Sequence, residues 1–552
     1  MHTISTSPRS LLLGALAAAI ATLAGCGGGG GIWVGVGGSQ PPPVTPPPPP
    51  PIANPLYLVS APSPFAAGCS GSASNGTLYV NAEVEPYVAV DPTNANHLVG
   101  VWQQDRWSAG GARGLLSAAS FDGGKSWTRT PLPVTACGGG TAANAYSFAS
   151  DPWVSIGPSG IVHAISLSFD ANDTAILATR SLDGGRTWAS PSTLILDGPN
   201  YANDKESITA DPGNPNLVYA VWDRGPTNSN AAPATFARST NAGASWESAR
   251  TIYDPGSSAQ TLGNEIVVLP NGNLLDLFTQ IDYPASGPQT AAAMVIGSTD
   301  KGLTWSAPIK VADMLPIGAT DPETGKPVRD GSDLAQIAVA ANGSVYVTWA
   351  DARFSNGQYD SIALSRSSDG GATWSAPVAI NPADHAEAFE PNIHVRADGT
   401  ITVSYYDFRN DTADPNTLPT ILWLTRSTDA VNWQESAVAG PFDLDYAPYA
   451  RGLFLGDYQG LTSMGSISEP FFVMTNNSTS NRTDVFSAPQ AIVTTMLNLM
   501  TRAPMVHSAA APLLPISSTL QARVAANLAR LRQRREAVPR SGDASPPPVF
   551  HP

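Results

Sequence analysis

The chain has 552 residues, of which 13% are charged, with 50 Gly, 50 Pro and 13 Trp and a formal net charge of −15. That composition suits many short strands and turns rather than helices. The negative balance argues against a nucleic-acid partner and leaves no phosphate-tracking surface.

The N-terminus has the layout of an export signal. Arg9 supplies the positive region, Leu11 to Leu23 the apolar region, and Leu23-Ala24-Gly25-Cys26 closes it. This tetrapeptide resembles a bacterial lipobox, which implies cleavage before Cys26, lipidation of that residue, and a protein exported to the periplasm or cell surface and anchored in the membrane. An ordinary secretory signal or a short membrane anchor is the alternative, but the apolar run is short and soon broken by Gly. Residues 1–25 are therefore expected to be a signal peptide. Residues 26–75 form a tether: Gly27 to Gly38 is mostly Gly, and Pro41 to Pro51 is nearly all Pro. A polyproline stretch of this length spans about 35 Å and would lift a folded head off a membrane. With Cys26 lipidated, Cys69 and Cys137 remain to pair in an oxidising compartment.

From residue 76 to 490 one motif recurs. SFDGGKSW (Ser120 to Trp127) returns as SLDGGRTW (Ser181 to Trp188), STNAGASW (Ser239 to Trp246), STDKGLTW (Ser298 to Trp305), SSDGGATW (Ser367 to Trp374) and, one residue short, STDAVNW (Ser427 to Trp433). A period of about 60 residues signals an array or propeller. Asp followed by Gly tightens a turn, and the Trp provides an apolar plug. These motifs resemble the Asp boxes of sialidase-type β-propellers. The resemblance implies an all-β propeller of four-stranded antiparallel blades, with the boxes as structural turns on the face opposite the site.

Each repeat reads as three strands, a box and a fourth strand. The first shows EPYVAVD (Glu85 to Asp91), HLVGVWQQD (His97 to Asp105), GLLSAASFD (Gly114 to Asp122) and WTRTPLPV (Trp127 to Val134). A seventh unit without a box lies between Gly452 and Ala488, so seven blades are favoured and six is the alternative. Thr77 to Ala82 is expected to supply the seventh blade's fourth strand and close the ring. In the 491–552 extension, Leu520, Val524, Leu528 and Leu531 keep helical spacing beside Arg523, Arg530, Arg532, Arg534 and Arg535. Such a helix could touch anionic lipid or dock on the acidic propeller. The final residues, with SPPP, have the composition of a disordered tail.

In a four-stranded blade, the start of the inner strand and the end of the second strand share a face. Inner strands open at or near Glu85, Asp151, Glu206, Glu265, Asp333, Glu390 and Asp457; second strands end at Asp105-Arg106, Asp170, Asp223-Arg224, Asp282, Asp351 with Arg353, and Asp407 with Arg409. Arg451 precedes the seventh inner strand. The sialidase resemblance implies a glycoside hydrolase in which arginines grip a sugar carboxylate and a Tyr nucleophile works with a Glu and an Asp acid/base. Arg106, Arg224, Arg353, Arg409 and Arg451 are the candidate clamp; Tyr406 and Tyr458 the nucleophiles, Glu206 and Glu390 their partners, and Asp105 the acid/base. The chain departs from the family where Glu85-Pro86-Tyr87 stands in place of an Arg-Ile-Pro motif, so no residue transfers from that motif. The Asp/Arg repetition also has a structural explanation, each arginine pairing with a neighbouring carboxylate. Arg180, Arg238, Arg366 and Arg426 directly precede boxes and belong to the other face. The alternative function is a non-catalytic propeller binding glycan or protein, with Trp102, Trp107 and Tyr87 around its mouth. His97, His163, His385 and His394 lack metal-ligand spacing. No cofactor is expected; Ca²⁺ in the acidic ring is the one metal worth testing. A monomer is expected.

Overall fold

Alternation of β-branched and aromatic residues with Gly- and Asn-rich turns produces an all-β molecule, seen here in a computed structural model that describes residues 55–381, 386–491, 506–508 and 516–534. Cys26, the leader, residues 26–54 of the tether, His385 and Arg535 lie outside the described residues. No helix among the described residues is long and apolar enough to cross a membrane.

The repeats form successive antiparallel sheets. In the third repeat, Tyr201–Ala210 pairs with Val218–Pro226, then Ala234–Ser239, then Arg250–Tyr253. The fourth and fifth repeats are likewise four-stranded, and the sixth gains a fifth strand, Val506–Ser508. The first, second and seventh repeats join into one twelve-stranded sheet, held between repeats by single bridges at Ala112 with Ala149 and Ala82 with Thr483. The leading strands of the successive repeats begin at Leu78, Phe148, Tyr201, Ala259, Gln336, Ala388 and Gly460.

The core lies between neighbouring sheets. Tyr219, Val221 and Phe236 of the third repeat pack with Ile266 and Leu274 of the fourth. The box tryptophans serve this packing: Trp305 meets Phe236 of the preceding repeat edge-on at 5.6 Å, and the Trp188 indole N–H donates to Ser117 Oγ of the first repeat at 2.8 Å. Gly185 shows why the box needs glycine: its φ is +86°, and a Cβ there would stand 3.0 Å from a methyl of Val99 in the preceding repeat. Trp127 of the first repeat packs on Phe471 of the seventh at 5.5 Å, and Tyr406 of the sixth donates to Val473 O of the seventh at 2.8 Å.

Each box aspartate satisfies its own turn. Asp183 accepts from the N–H of Arg186 and Thr187 at 3.1 and 2.9 Å and from the hydroxyls of Thr187 and Ser181, both at 2.7 Å. Hydrogen bonds from Thr187 chiefly hold its carboxyl down at about 2.

The seventh repeat takes its fourth strand from elsewhere than expected. Tyr57–Leu58 pairs antiparallel with Phe486 and Ser487, while residues 78–82 begin the first repeat's long leading strand, make one backbone bridge to the seventh at Ala82, and add only side-chain contacts of Asn81 with Ser480 and Tyr79 with Arg482. The single α-helix among the described residues, α1 (Ser518–Arg534), buries Leu520, Val524 and Leu528 against the sheet assembly. Its apolar face is therefore used in docking, the second of the two roles expected of it. Cys69 and Cys137 form the disulfide.

Candidate functional site

The inner strands share a local irregularity that aims side chains inward. Register with the second strand slips at Val84/Tyr87, Ser150/Trp153, Asp204/Ser207, Leu262/Glu265 and Phe389/Asn392. Within these bulges Glu85, Asp151, Lys205 and Glu390 hold φ between 50 and 53°, and Gly263 occupies the matching place at 66°. A left-handed backbone is native to glycine and costs other residues about 1 kcal/mol or more. Four charged side chains at a glycine-favouring position mark a place where the side chain, not backbone comfort, decides the residue.

Lys205 is the centre of the arrangement. Its ammonium lies 2.5 Å from Asp151 Oδ1, 2.7 Å from Asp457 Oδ2 and 3.4 Å from Glu85 Oε1, all buried. Burial pulls its pKa down, but Asp151, Asp457 and Glu85 together hold it well above the ordinary lysine value. Asp457 behaves correspondingly: burial would raise its carboxyl, yet Arg329 and Lys205 keep it well below the usual range. Arg329 forks onto Asp457, with Nε at 2.8 Å from Oδ1 and Nη2 on Oδ2. Glu85 is pushed well up, by burial first and Asp151 second, and it accepts from Gln103 Nε2.

Two further carboxyls beside this cluster have no hydrogen-bond partner among the described residues. Both oxygens of Glu206 and of Glu390 are buried and unpaired. Burial, then the neighbouring Asp151, drives Glu206 well above the ordinary glutamate range; burial, then Asp457 and Glu85, does the same for Glu390. The Oδ2 of Asp151 is unpaired as well. A cavity of about 20 Å³ lies here, walled by Trp153, Lys205, Glu206, Glu265, Leu334 and Tyr458 among others, which is room for about one water.

The candidates from sequence fall into two groups. Glu206, Glu390 and Tyr458 converge on the Lys205 cluster. The Tyr458 ring packs on Trp153 and Tyr87 and its hydroxyl donates to Pro152 O at 3.0 Å; burial, then Glu85 and Asp151, raises its phenol well above the ordinary value. Arg106 acts at one remove, its Nη1 donating at 2.6 Å to the Gln103 that bonds Glu85. The others are engaged away from it. Arg224 forks onto Asp197 at 2.8 and 2.7 Å, Arg353 onto Asp351 at 2.8 and 2.7 Å, and Arg409 onto Asp407 and Glu435 while stacked over Trp423 at 3.8 Å. Arg451 reaches Ala109 O at 3.5 Å. Asp105 accepts from Arg113 Nη1 at 3.0 Å, Ser63 Oγ at 2.7 Å and Asn81 N at 2.9 Å. Tyr406 bridges repeats six and seven through both backbone groups of Val473. The structure thus does not gather Arg224, Arg353 and Arg409 into a clamp: Arg353 and Arg409 neutralise carboxylates of their own repeats, and Arg224 neutralises Asp197 of the preceding one. Trp102 and Trp107 are buried rather than set around a mouth.

Sequence reasoning passed over Lys205 and Arg329. Lys205 carried a signal: Lys205-Glu206 stands where other repeats have Glu85-Pro86, Asp151-Pro152 and Glu390-Pro391, so the sign of the charge reverses once along the repeats. Arg329 lies in a long connector with no repeat counterpart. The two cations also bear on a metal. Oxygens of Glu85, Asp151 and Asp457 lie within 4.8 Å of one another, but the Lys205 ammonium stands among them, so these residues do not fit Ca²⁺.

Residues 218–439 match the BNR repeat-like domain family. No curated protein matches the chain. Solved structures with a similar course include an α-L-arabinanase of Penicillium chrysogenum complexed with arabinobiose (12% identity, TM-score 0.43, 78% of this chain and 97% of that one). Two others are the α-L-arabinofuranosidase Arb93A of Fusarium graminearum with an iminosugar inhibitor (13%, 0.41, 63% and 92%) and a mutant of the NanB sialidase of Streptococcus pneumoniae (13%, 0.37, 79% and 70%). With six box turns at a regular period, five built on Asp and one on Asn, and the family match across four of them, the chain carries an Asp-box, BNR repeat-like domain.

Proposed function

We propose that the protein is an exported lipoprotein, anchored through Cys26, whose head is a seven-bladed propeller acting on glycans as a glycoside hydrolase at the axial cluster. The blades are the seven repeats, four-stranded and antiparallel, with Tyr57–Leu58 completing the last. The observation that carries the catalytic reading is the pairing of Glu206 with Asp151: burial and the neighbouring carboxylate keep Glu206 well above the ordinary glutamate range, while Asp151 is anchored by Lys205 through one oxygen and leaves the other unpaired. Such a pair supplies a general acid for the leaving oxygen and a carboxylate to activate water. Tyr458 stands beside it as the nucleophile a sialidase-like route would need. With Arg224, Arg353 and Arg409 neutralised by their own carboxylates, a neutral sugar suits the site better than a sialic acid.

The test is turnover of aryl pentosides, hexosides and sialosides between pH 4 and 8 by the purified head. Neutral glycosides are expected to react, with Glu206→Gln lowering kcat about a hundredfold or more. Hydrolysis of the sialoside alone would instead assign the sialidase specificity. A second reading, a non-catalytic propeller binding glycan or protein, is favoured by the cavity's capacity of about 20 Å³; silence across the whole panel would select it.

A further inference from the structure

The cavity is too small for a sugar, and one of its walls is held from outside the repeats. Leu334 closes it on one side and belongs to the segment 328–334, which also carries Arg329, the fork on Asp457. This segment is pressed against residues 452–457: Val328 and Arg329 pair in parallel with Leu453 and Phe454, and the left-handed Gly331, at φ 60°, leaves no room for a Cβ beside Asp457 O. On its other side stands α1. Asn527, 2% exposed, donates through Nδ2 to Ser332 Oγ and to Pro316 O, both at 3.2 Å, and accepts from Arg530 Nη2 at 2.8 Å. Arg530 donates onward to Ile317 O at 3.2 Å, and Arg523 reaches Gly357 O. Leu520, Val524 and Leu528 bury the remaining face in the cluster that includes Ile317, Leu334 and Ala335.

These contacts have a common target. Pro316, Ile317 and Ser332 lie in the connector leading into the fifth inner strand, and Gly357 follows the fifth repeat's second strand. By the strand order both places are on the face opposite the boxes, where the axial cluster sits. We propose that α1 is a strap that holds segment 328–334 shut over the axial cavity, and that its release lets Leu334 and Arg329 withdraw so that a sugar can enter. Undocking removes the tie from Asn527 to Ser332 and the apolar cover on Leu334, and the segment then rests on its pairing with Leu453 and Phe454, the Arg329 fork on Asp457 and the bonds of Val328 and Asp330 with Ala319. The strap regulates the site described under the glycan reading and rests on that reading for its ligand, but not for its mechanics.

Hydrogen exchange on the full chain tests it. Leu528→Asp puts a charge into the docked face, and Asn527→Ala cuts the tie to Ser332 while leaving the apolar face intact. Both are expected to speed exchange at amides 328–334 about tenfold or more, with strands Asn94–Trp107 and Val162–Phe169 unchanged, and to raise turnover of whichever glycoside the panel identifies. Fast exchange in α1 with 328–334 at the parent rate would overturn the strap. Should Leu528→Asp fail to fold, Asn527→Ala decides alone: an unchanged rate at 328–334 overturns the proposal. Faster exchange without gain on any glycan would leave the strap standing and count against the glycan reading.

Discussion

A lysine among three buried carboxylates is the residue-scale feature on which the axial cluster depends. Taking charges out of water is expensive, and the cluster persists because Lys205 and Arg329 face Glu85, Asp151 and Asp457 at bonding distance. Removing one partner leaves the others uncompensated. Lys205→Met is therefore expected to destabilise the fold by about 3–5 kcal/mol, measured as the shift in urea-unfolding free energy. A variant as stable as its parent would mean that the carboxylates are balanced without the ammonium. The left-handed backbone at Lys205 adds a reason to expect function here, since a glycine would relieve it at no steric cost. The same scale explains the spent arginines. A guanidinium two residues after an aspartate, as at Asp351 with Arg353 and Asp407 with Arg409, bonds that aspartate before it can reach a ligand, whereas Arg224, directly after Asp223, is spent on Asp197 of the preceding repeat.

The Asp box is the element that recurs, and its third copy is a natural experiment. Asn241 takes the aspartate's place and still accepts from Ser245 N at 2.9 Å, while its amide donates to Ser245 Oγ at 2.8 Å. The turn needs an acceptor aimed at the backbone more than it needs a charge. Asp183→Ala is accordingly expected to cost about 1–2 kcal/mol, and Asp183→Asn clearly less, read from thermal or urea midpoints of the two variants. Equal losses would show that the charge, not the acceptor, holds the turn. Other elements were less legible. A two-residue strand such as Tyr57–Leu58 has no periodicity to detect, and it forms because the edge of Thr483–Ser487 is open to it. The helix was visible as a 3.6-residue pattern, but the pattern is the same for a lipid surface and a protein groove. Only the contacts of Leu520, Val524 and Asn527 separate the two.

At the scale of the whole molecule, buried acids set the pH dependence of stability. Glu469 is fully buried and burial pushes its carboxyl up to about 8 from an ordinary value of 4.5, against a hydrogen bond from Ser487 that lowers it. The unfolded chain releases that proton near 4.5 and the folded chain keeps it to about 8. The stability it contributes is thus complete below 4.5 and is lost as pH rises toward 8. The box aspartates work oppositely: Asp122, held down at about 2 mainly by its bond from Ser126, stabilises above its ordinary 3.8 and ceases to do so as pH falls through 2. Stability is expected to peak in mildly acidic solution and to decline from about pH 5 to 8 in urea titrations, with Glu469→Gln shallower than the parent. A flat or rising profile would overturn this ordering.

Much of this protein is local and repeated, and so could be read from its residues. Box turns, strand alternation and the period of about 60 residues depend on contacts within a few residues, and they suffice for an all-β repeat architecture and for naming the carboxylates at the inner-strand starts. Which of those groups meet could not be read that way. Glu85, Lys205 and Asp457 are brought to one point from positions up to 372 residues apart along the chain, counted as 457 minus 85, and bonding at that distance is decided by packing between sheets. The tertiary structure alone placed an ammonium where a metal was conceivable, spent the arginines on neighbouring carboxylates, and laid a helix over the connector that walls the cavity, because each outcome depends on which surfaces face one another after folding.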